Sequence, residues 1–176
     1  MADELIKIGH NLPKVQKEIA KVAKKTGNPA PALKAMGKVL TLSTDERFSK
    51  QEDPQGNKWK ELKPVTRKRK KNSKILTEST KLRDGISDQL DGDDTLLVGS
   101  DSPYGAIHQL GGTIKQEGMT LHLKGTGRNT RFAKKGQGDR TKTVNRTIKM
   151  PARPYLGVSK ADETELLAIA GDYLMG

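Results

Sequence analysis

Residues 85–100 read Gly-Ile-Ser-Asp-Gln-Leu-Asp-Gly-Asp-Asp-Thr-Leu-Leu-Val-Gly-Ser. The middle of this stretch, Asp91-Gly92-Asp93-Asp94, is turn chemistry: glycine accepts positive φ, and short acidic side chains bond to their own backbone. Strand-like runs lie on both sides, at 85–90 and 95–98, the second ending at Gly99-Ser100. Two short runs joined by such a turn predict an antiparallel β-hairpin. A longer hairpin is predicted further on. Residues 120–124 and 144–150 read as strands, and 113–114 as a further short one. Between them, 125–143 is rich in Gly, Lys and Arg and apolar only at Phe132 and Ala133. A segment this long and this charged is expected to be an exposed hairpin tip.

Helices are predicted around these strands. Leu5, Ile8, Leu12, Val15, Ile19 and Val22 recur at alternating steps of three and four, the stripe of an amphipathic helix over 2–25. Pro13 either kinks this helix or starts it, with Asn11 as cap. The stripe packs on its own domain or docks on a neighbouring subunit. Gly27-Asn28-Pro29 breaks it, and a second helix is expected over 30–49, with Leu33, Met36, Leu40 and Phe48 roughly on one side. The two form a helical hairpin. Short helices are expected at 77–82 and 103–109, the latter stopped by Gly111-Gly112. Residues 151–159 are punctuated by proline and extended. A closing helix over 161–175 carries Leu166, Ile169, Ala170, Tyr173 and Leu174, with Asp162, Glu163 and Glu165 in its first turn, where the helix dipole favours acids. The expected fold is α+β: an antiparallel sheet flanked by helices, with an N-terminal helical hairpin, a C-terminal helix and a long basic β-hairpin loop. It is read as one domain over 1–176: a helical region 1–49, a mainly β core 50–160 with basic loops at 58–74 and 125–143, and the helix 161–176.

The composition is lean in core material. Of 176 residues 32% are apolar and 3% aromatic, while 31% are charged; Trp59 is the single tryptophan, with Phe48 and Phe132 the two phenylalanines. Such a chain is expected to order part of itself against a partner or another subunit. Its net charge of +12 attracts polyanions without reading their sequence. Much of the basic charge falls in two places. Residues 58–74 hold nine Lys or Arg against Glu61, and 122–149 hold nine against Asp139. The first is read as an exposed arm or loop. Each is a solvated run, or else a surface for nucleic acid or an acidic neighbour. On the second reading the contacting residues are Arg67, Lys68, Arg69, Lys70, Lys71, Arg128, Arg131, Lys134, Lys135 and Arg140. Aromatics are nearly absent from these loops, which argues against a single-strand or RNA reader built on stacking.

The residues for catalysis are missing from the pattern. With no cysteine there are no disulfides, thiolate zinc sites or cysteine nucleophiles. His10, His108 and His122 share no metal-ligand spacing. A Gly-x-Ser-x-Gly elbow is absent. Gly125-Thr126-Gly127-Arg128 lacks the lysine and helix of a phosphate loop. Asp91, Asp93 and Asp94 lack the twelve-residue calcium pattern and its closing glutamate. No enzyme activity, cofactor or metal is expected. The first eight residues are acidic and mixed, unlike a signal peptide, and no apolar run approaches the roughly 20 residues that cross a bilayer.

The order of short motifs adds a further signal. Arg47-Phe48 is followed by Asp53-Pro54-Gln55-Gly56-Asn57-Lys58-Trp59-Lys60-Glu61-Leu62, then Ile75-Leu76-Thr77 with Leu82-Arg83, then Val98-Gly99-Ser100. Next come Tyr104-Gly105-Ala106-Ile107-His108-Gln109-Leu110-Gly111-Gly112 and Pro151-Ala152-Arg153-Pro154-Tyr155-Leu156-Gly157. Over about 47–162 this series resembles the phage virion morphogenesis (tail completion) family of Mu-like phages. It departs at 125–143, which is longer and more basic than the family pattern. The resemblance implies a structural virion protein, made in the host bacterial cytoplasm and assembled late at the head–tail interface or the head-proximal end of the tail. It implies a small domain repeated in a ring around the DNA path, hexameric by analogy with the tail's six-fold symmetry. The partners it implies are further copies of itself, the connector or neck, and tail tube or sheath proteins, with non-specific contact to packaged DNA and no membrane. Family-motif residues expected in structural or interface roles are Trp59, Tyr104, His108, Gln109, Gly111, Gly112, Pro151, Arg153 and Pro154. Arg153 is expected to meet a carboxylate across an interface or within the chain. His108 and Gln109 are expected to satisfy backbone groups where the short helix meets Gly111-Gly112. The competing readings are a free nucleic-acid-binding protein and a hydrolase or nuclease.

Overall fold

The computed structural model describes residues 12–175. The stripe positions Leu5 and Ile8, the proposed cap Asn11 and His10 lie outside the described residues. In chain order the elements are α1 (Pro13–Thr26), α2 (Ala30–Lys50), α3 (Pro64–Arg69), α4 (Lys81–Asp84), β1 (Ile86–Asp91), β2 (Thr95–Ser100), α5 (Gly105–Leu110), β3 (Gly112–Lys124), β4 (Arg131–Phe132), β5 (Arg140–Met150) and α6 (Lys160–Met175). The fold is α+β with two small antiparallel sheets, β1-β2 and β4-β3-β5. The chain divides into two compact units: one runs up to Leu110 and resumes at Ala152, and the other is Gly111–Pro151.

In the first unit α1, α2 and α6 share an apolar cluster, and the β1-β2 hairpin packs on α2. Pro13 occupies the first turn of α1, where its missing N–H removes no helical bond. Val15 and Val22 from the stripe are buried with Leu33, Met36, Leu166 and Ala170. Asn28 Oδ1 accepts the Ala30 N–H at 2.9 Å and so helps to start α2. At 21 residues α2 reaches a second cluster, in which Phe48 packs with Trp59, Ile75, Leu82, Tyr155 and Leu156. Phe48 meets Trp59 edge to face at 5.3 Å and Tyr155 at 5.4 Å, so half of the chain's six aromatic residues converge on one spot. The hairpin predicted at 85–100 is present, with Asp91 opposite Thr95 and Ile86 opposite Ser100.

The second unit is the long hairpin. The predicted strands at 113–114 and 120–124 are one strand of 13 residues, β3, paired with β5 along its length. A bulge between Gln116 and Met119 explains why the sequence reads as two pieces. At the bulge Gly118 has φ +66°, and its N–H bonds to Asn145 Oδ1 at 3.0 Å. A residue with a Cβ is strained at that φ, and a glycine there looks like a strand end in sequence. β5 starts at Arg140, so the tip is shorter than 125–143. The tip is also ordered. It holds a 3-10 turn at Gly127–Asn129, the two-residue β4, a bond from the Gly125 N–H to Asp139 Oδ2 at 2.9 Å and one from the Asp139 N–H to the Leu123 carbonyl at 2.8 Å.

Two further expectations change. The helix predicted at 77–82 is α4, Lys81–Asp84; Thr80 sits at φ +54°, which no helix continues through. The segment 58–74 is not all exposed arm. Trp59 is buried, and Pro64–Arg69 forms α3, started by Pro64 at its first position. Gly37 in α2 faces Asp88 of β1, and an added Cβ would lie 2.9 Å from the Asp88 Cβ. Glycine to alanine in a helix gains up to about 1 kcal/mol of propensity. Here the obstacle includes a Cβ atom, so helix and strand must part, a cost of about 1–3 kcal/mol. Gly37→Ala is expected to lower stability in urea unfolding followed by Trp59 emission; a rise would show that the packing yields.

Candidate functional site

The motif residues that lie far apart in sequence meet around one extended segment, 151–157. Arg47, on α2, is 4% exposed. Its Nη1 donates to the carbonyls of Tyr155 at 3.1 Å and Gly157 at 2.9 Å, and its Nη2 to Ser43 Oγ at 2.9 Å and to the Asp162 carboxylate. Burial holds the Arg47 guanidinium below its ordinary pKa, while the adjacent Asp162 pushes it back up. Asp162 does more than complement the helix dipole. Its Oδ2 accepts the Ser159 N–H at 2.7 Å, and Ser159 Oγ accepts the Asp162 N–H at 3.1 Å. This reciprocal pair is a capping box at the start of α6. Ser159-x-x-Asp162 is the sequence signal for it.

Gln109, also buried, grips the same segment from α5. Its Oε1 accepts the N–H groups of Tyr155 at 2.9 Å and Leu156 at 3.0 Å, and its Nε2 donates to the Leu156 carbonyl at 2.9 Å. The expectation that Gln109 serves the Gly111-Gly112 turn is thus corrected: it saturates a remote backbone instead. Trp59 Nε1 donates to the Pro154 carbonyl at 2.7 Å. Among the described residues Arg153 meets no carboxylate. Its Nε donates to the Lys60 carbonyl at 2.8 Å and its Nη2 to the Glu61 carbonyl at 3.2 Å, with the side chain buried. The reason is geometric: the planar fork of guanidinium donors suits two successive carbonyls as well as it suits a carboxylate. Arg153 is an internal clasp rather than a bridge to a carboxylate of its own chain. The Arg153 N–H donates to the His108 carbonyl at 2.7 Å.

His108 is half-buried, with Nδ1 unpartnered. Burial, and then the nearby Arg153 charge, push its pKa below the ordinary value. Both effects favour the neutral ring, and among the described residues no carboxylate orients it. Burial pushes the Tyr155 phenol up to about 12, opposed by the neighbouring Ser100 hydroxyl, although no well-formed hydrogen bond reaches the Tyr155 oxygen. Among the described residues no group of three His, Cys, Asp or Glu is placed to hold a metal ion. Tyr104 stands apart from the clasp at 64% exposure. Gly111, Gly112 and Pro151 belong to the hairpin unit, with Gly111 at φ +70° just beyond α5.

The basic candidates divide. Arg67, Lys68, Arg69 and Lys71 are exposed and Lys70 is half-buried. Lys70 pairs with Glu78 at 2.7 Å and Arg67 with Glu61 at 2.8 Å, so this segment is partly neutralised by its own neighbours. Arg128, Arg131, Lys134, Lys135 and Arg140 are all exposed, and none forms a salt bridge among the described residues. The whole hairpin 111–151 carries ten Lys or Arg against Glu117 and Asp139, a net +8 of the chain's +12.

Two outcomes follow from this geometry. Asp162→Asn leaves a buried guanidinium without its counter-charge, and is expected to cost about 3–5 kcal/mol in urea unfolding; a loss under about 1 kcal/mol would mean that the carbonyls suffice. His108 has a lower pKa folded than unfolded, so the unfolded chain binds the extra proton. Its contribution is complete above the unfolded value and is lost as pH falls through the folded one. Wild type is therefore expected to lose more stability than His108→Gln between about pH 7.5 and about pH 5. Parallel curves would refute this.

Comparison with known proteins agrees with the motif order. The model of the phage virion morphogenesis family matches residues 10–175. The "Mu-like prophage FluMu G protein 2" of Haemophilus influenzae is 23% identical over 164 residues, covering 93% of this chain and 91% of that protein. No solved structure matches. Among the described residues no helix is long and apolar enough to cross a membrane. The match spans the clasp, both β-hairpins and all three long helices, and the chain belongs to the phage virion morphogenesis family.

Proposed function

We propose that this protein is a non-enzymatic structural component of the phage neck or tail. In this reading copies form a ring at the head–tail interface or at the head-proximal tail end, around the DNA path. Its partners are further copies of itself, the connector or neck, and tube or sheath proteins, and its place is the virion. The observation that carries the reading is the separation of charge. A body with a net charge of +4 is joined to an exposed hairpin of net charge +8 whose tip cations pair with no carboxylate among the described residues. Unpaired lysines and arginines on an ordered loop suit the backbone of DNA passing through a channel, where charge matters and base identity does not. A ring also lets a chain with a lean core add a neighbour's surface to its own. The same charge supports a second reading, a basic protein that binds nucleic acid non-specifically outside any ring.

Size-exclusion chromatography with light scattering, at low and high salt and without DNA, separates the two. A defined oligomer that persists at high salt supports the ring. A 19.3 kDa monomer that shifts DNA only at low salt overturns it. Replacing Arg128, Arg131, Lys134 and Lys135 with serine is expected to leave folding and Trp59 emission unchanged while impairing head–tail joining in extracts. The slope of log affinity for DNA against log salt is expected to fall by about 0.9 for each phosphate that the tip no longer neutralises. An unfolded variant would mean that the tip is not a free surface. The same replacement at Arg67 and Lys70 is expected to do less, because Glu61 and Glu78 already oppose them.

A further inference from the structure

The hairpin 111–151 has two unlike faces. Strand register places Ile114 opposite Ile148 and Met119 opposite Val144, with Leu121 and Leu123 continuing the row on β3 and Phe132 of β4 beside Leu123. On the same face β5 presents Arg140, Lys142 and Arg146, opposite Leu123, Leu121 and Gln116. The alternate positions, such as Thr113, Lys115, Thr120, His122, Thr141 and Thr143, carry no apolar side chain. Not one residue from 111 to 151 is buried, and Phe132 is 74% exposed. An essentially two-stranded ribbon, with only the two-residue β4 beside it, is marginal alone in water. An apolar row of this length on one face marks a surface that something covers.

The charges narrow what that is. A second hairpin laid face to face would set Arg140, Lys142 and Arg146 against their own copies, with no acid at any paired position of β3 or β5 to relieve them. Nucleic acid would meet the cations but not the aliphatic row. The body of a second copy offers both kinds of surface. Outside the hairpin lie 19 of the chain's 21 acidic residues. Three of them, Asp91, Asp93 and Asp94, are exposed around the β1-β2 turn and form no salt bridge among the described residues. Asp94 also rims an apolar cleft of about 370 Å³ lined by Val15, Ile19, Leu33, Leu40, Leu96 and Val98.

We infer that the apolar face of the hairpin of one copy seats on this cleft in a second copy, with Arg140, Lys142 and Arg146 against Asp91, Asp93 and Asp94. The interface joins two different patches, so it is heterologous. Repeated, it closes into a ring or runs on as a filament. The inference rests on the oligomeric reading above and supplies its interface.

Sedimentation velocity of the full chain tests it. Leu121→Glu with Leu123→Glu is expected to reduce the oligomer to the 19.3 kDa monomer. Wild-type Trp59 emission and far-UV circular dichroism would show that the body is intact. Reversing Arg140, Lys142 and Arg146 to Glu, or Asp91, Asp93 and Asp94 to Lys, is expected to weaken association at least about tenfold. Combining the two reversals restores it. An oligomer untouched by the leucine changes overturns this interface and leaves the ring standing. So does a charge reversal that abolishes DNA binding alone, or a combined variant that does not recover. A filament or a small open oligomer that the same variants dissolve keeps the interface and overturns the ring. A wild-type monomer overturns both.

Discussion

Arg47 is the constraint on which the body depends. A guanidinium 4% exposed cannot be left short of partners, because an uncompensated buried charge costs several kcal/mol. Its partners come from three parts of the chain: Ser43 one turn back on α2, the carbonyls of Tyr155 and Gly157, and Asp162 at the start of α6. Satisfying one residue therefore sets where the returning strand lies and where the last helix begins. Asp162 is already committed to the capping box with Ser159, so the start of α6 and the salt bridge are one arrangement. Phe48, next in sequence to Arg47, is thereby held against Tyr155 and Trp59, and the second cluster forms around them.

The segment 151–157 would otherwise be a poor structural element. It has no strand partner, and two prolines remove donors. Its backbone groups are satisfied by side chains instead. Gln109 takes two N–H groups and one carbonyl, Arg47 two carbonyls and Trp59 one. This is the accounting that buried backbone demands where no ladder exists. The segment follows the hairpin in sequence, and the bond from the Arg153 N–H to the His108 carbonyl ties the point of return to the point of exit. The body is thus closed across the base of the excursion by its own hydrogen bonds.

What is legible in the sequence follows from what periodicity reports. A stripe at 3.6 residues marks α1, helix-length apolar segments between breakers mark α2 and α6, and the Asp-Gly turn marks the first hairpin, because each is a local pattern of side-chain type. The clasp is only half visible. Arg153 and Gln109 stand out as polar residues within apolar or proline-bounded motifs, but their partners are main-chain groups 92–93 and 46–47 residues away. Any residue supplies a carbonyl, so no residue type points to it. Asp162 reads as a surface acid because one carboxylate can serve a dipole, a cap and a salt bridge alike, and sequence does not say which. The bulge at Gly118 splits one strand into two for the same kind of reason: a backbone angle has no letter except the glycine that permits it.

The division of labour between the two units has an electrostatic logic. Ten cations within 41 residues repel one another, and in a close-packed core they would have to be desolvated or paired. A ribbon with no buried residue leaves them hydrated, so their repulsion is screened and the cost to folding is small. The body, where 19 of the acids lie, pairs some of its cations with them, as Lys50 with Glu46 and Arg83 with Asp45. Folding is therefore carried by one part of the chain and unbalanced charge by the other. The tip can gain or lose lysines without disturbing Arg47, whose hydrogen-bond partners all lie in the body.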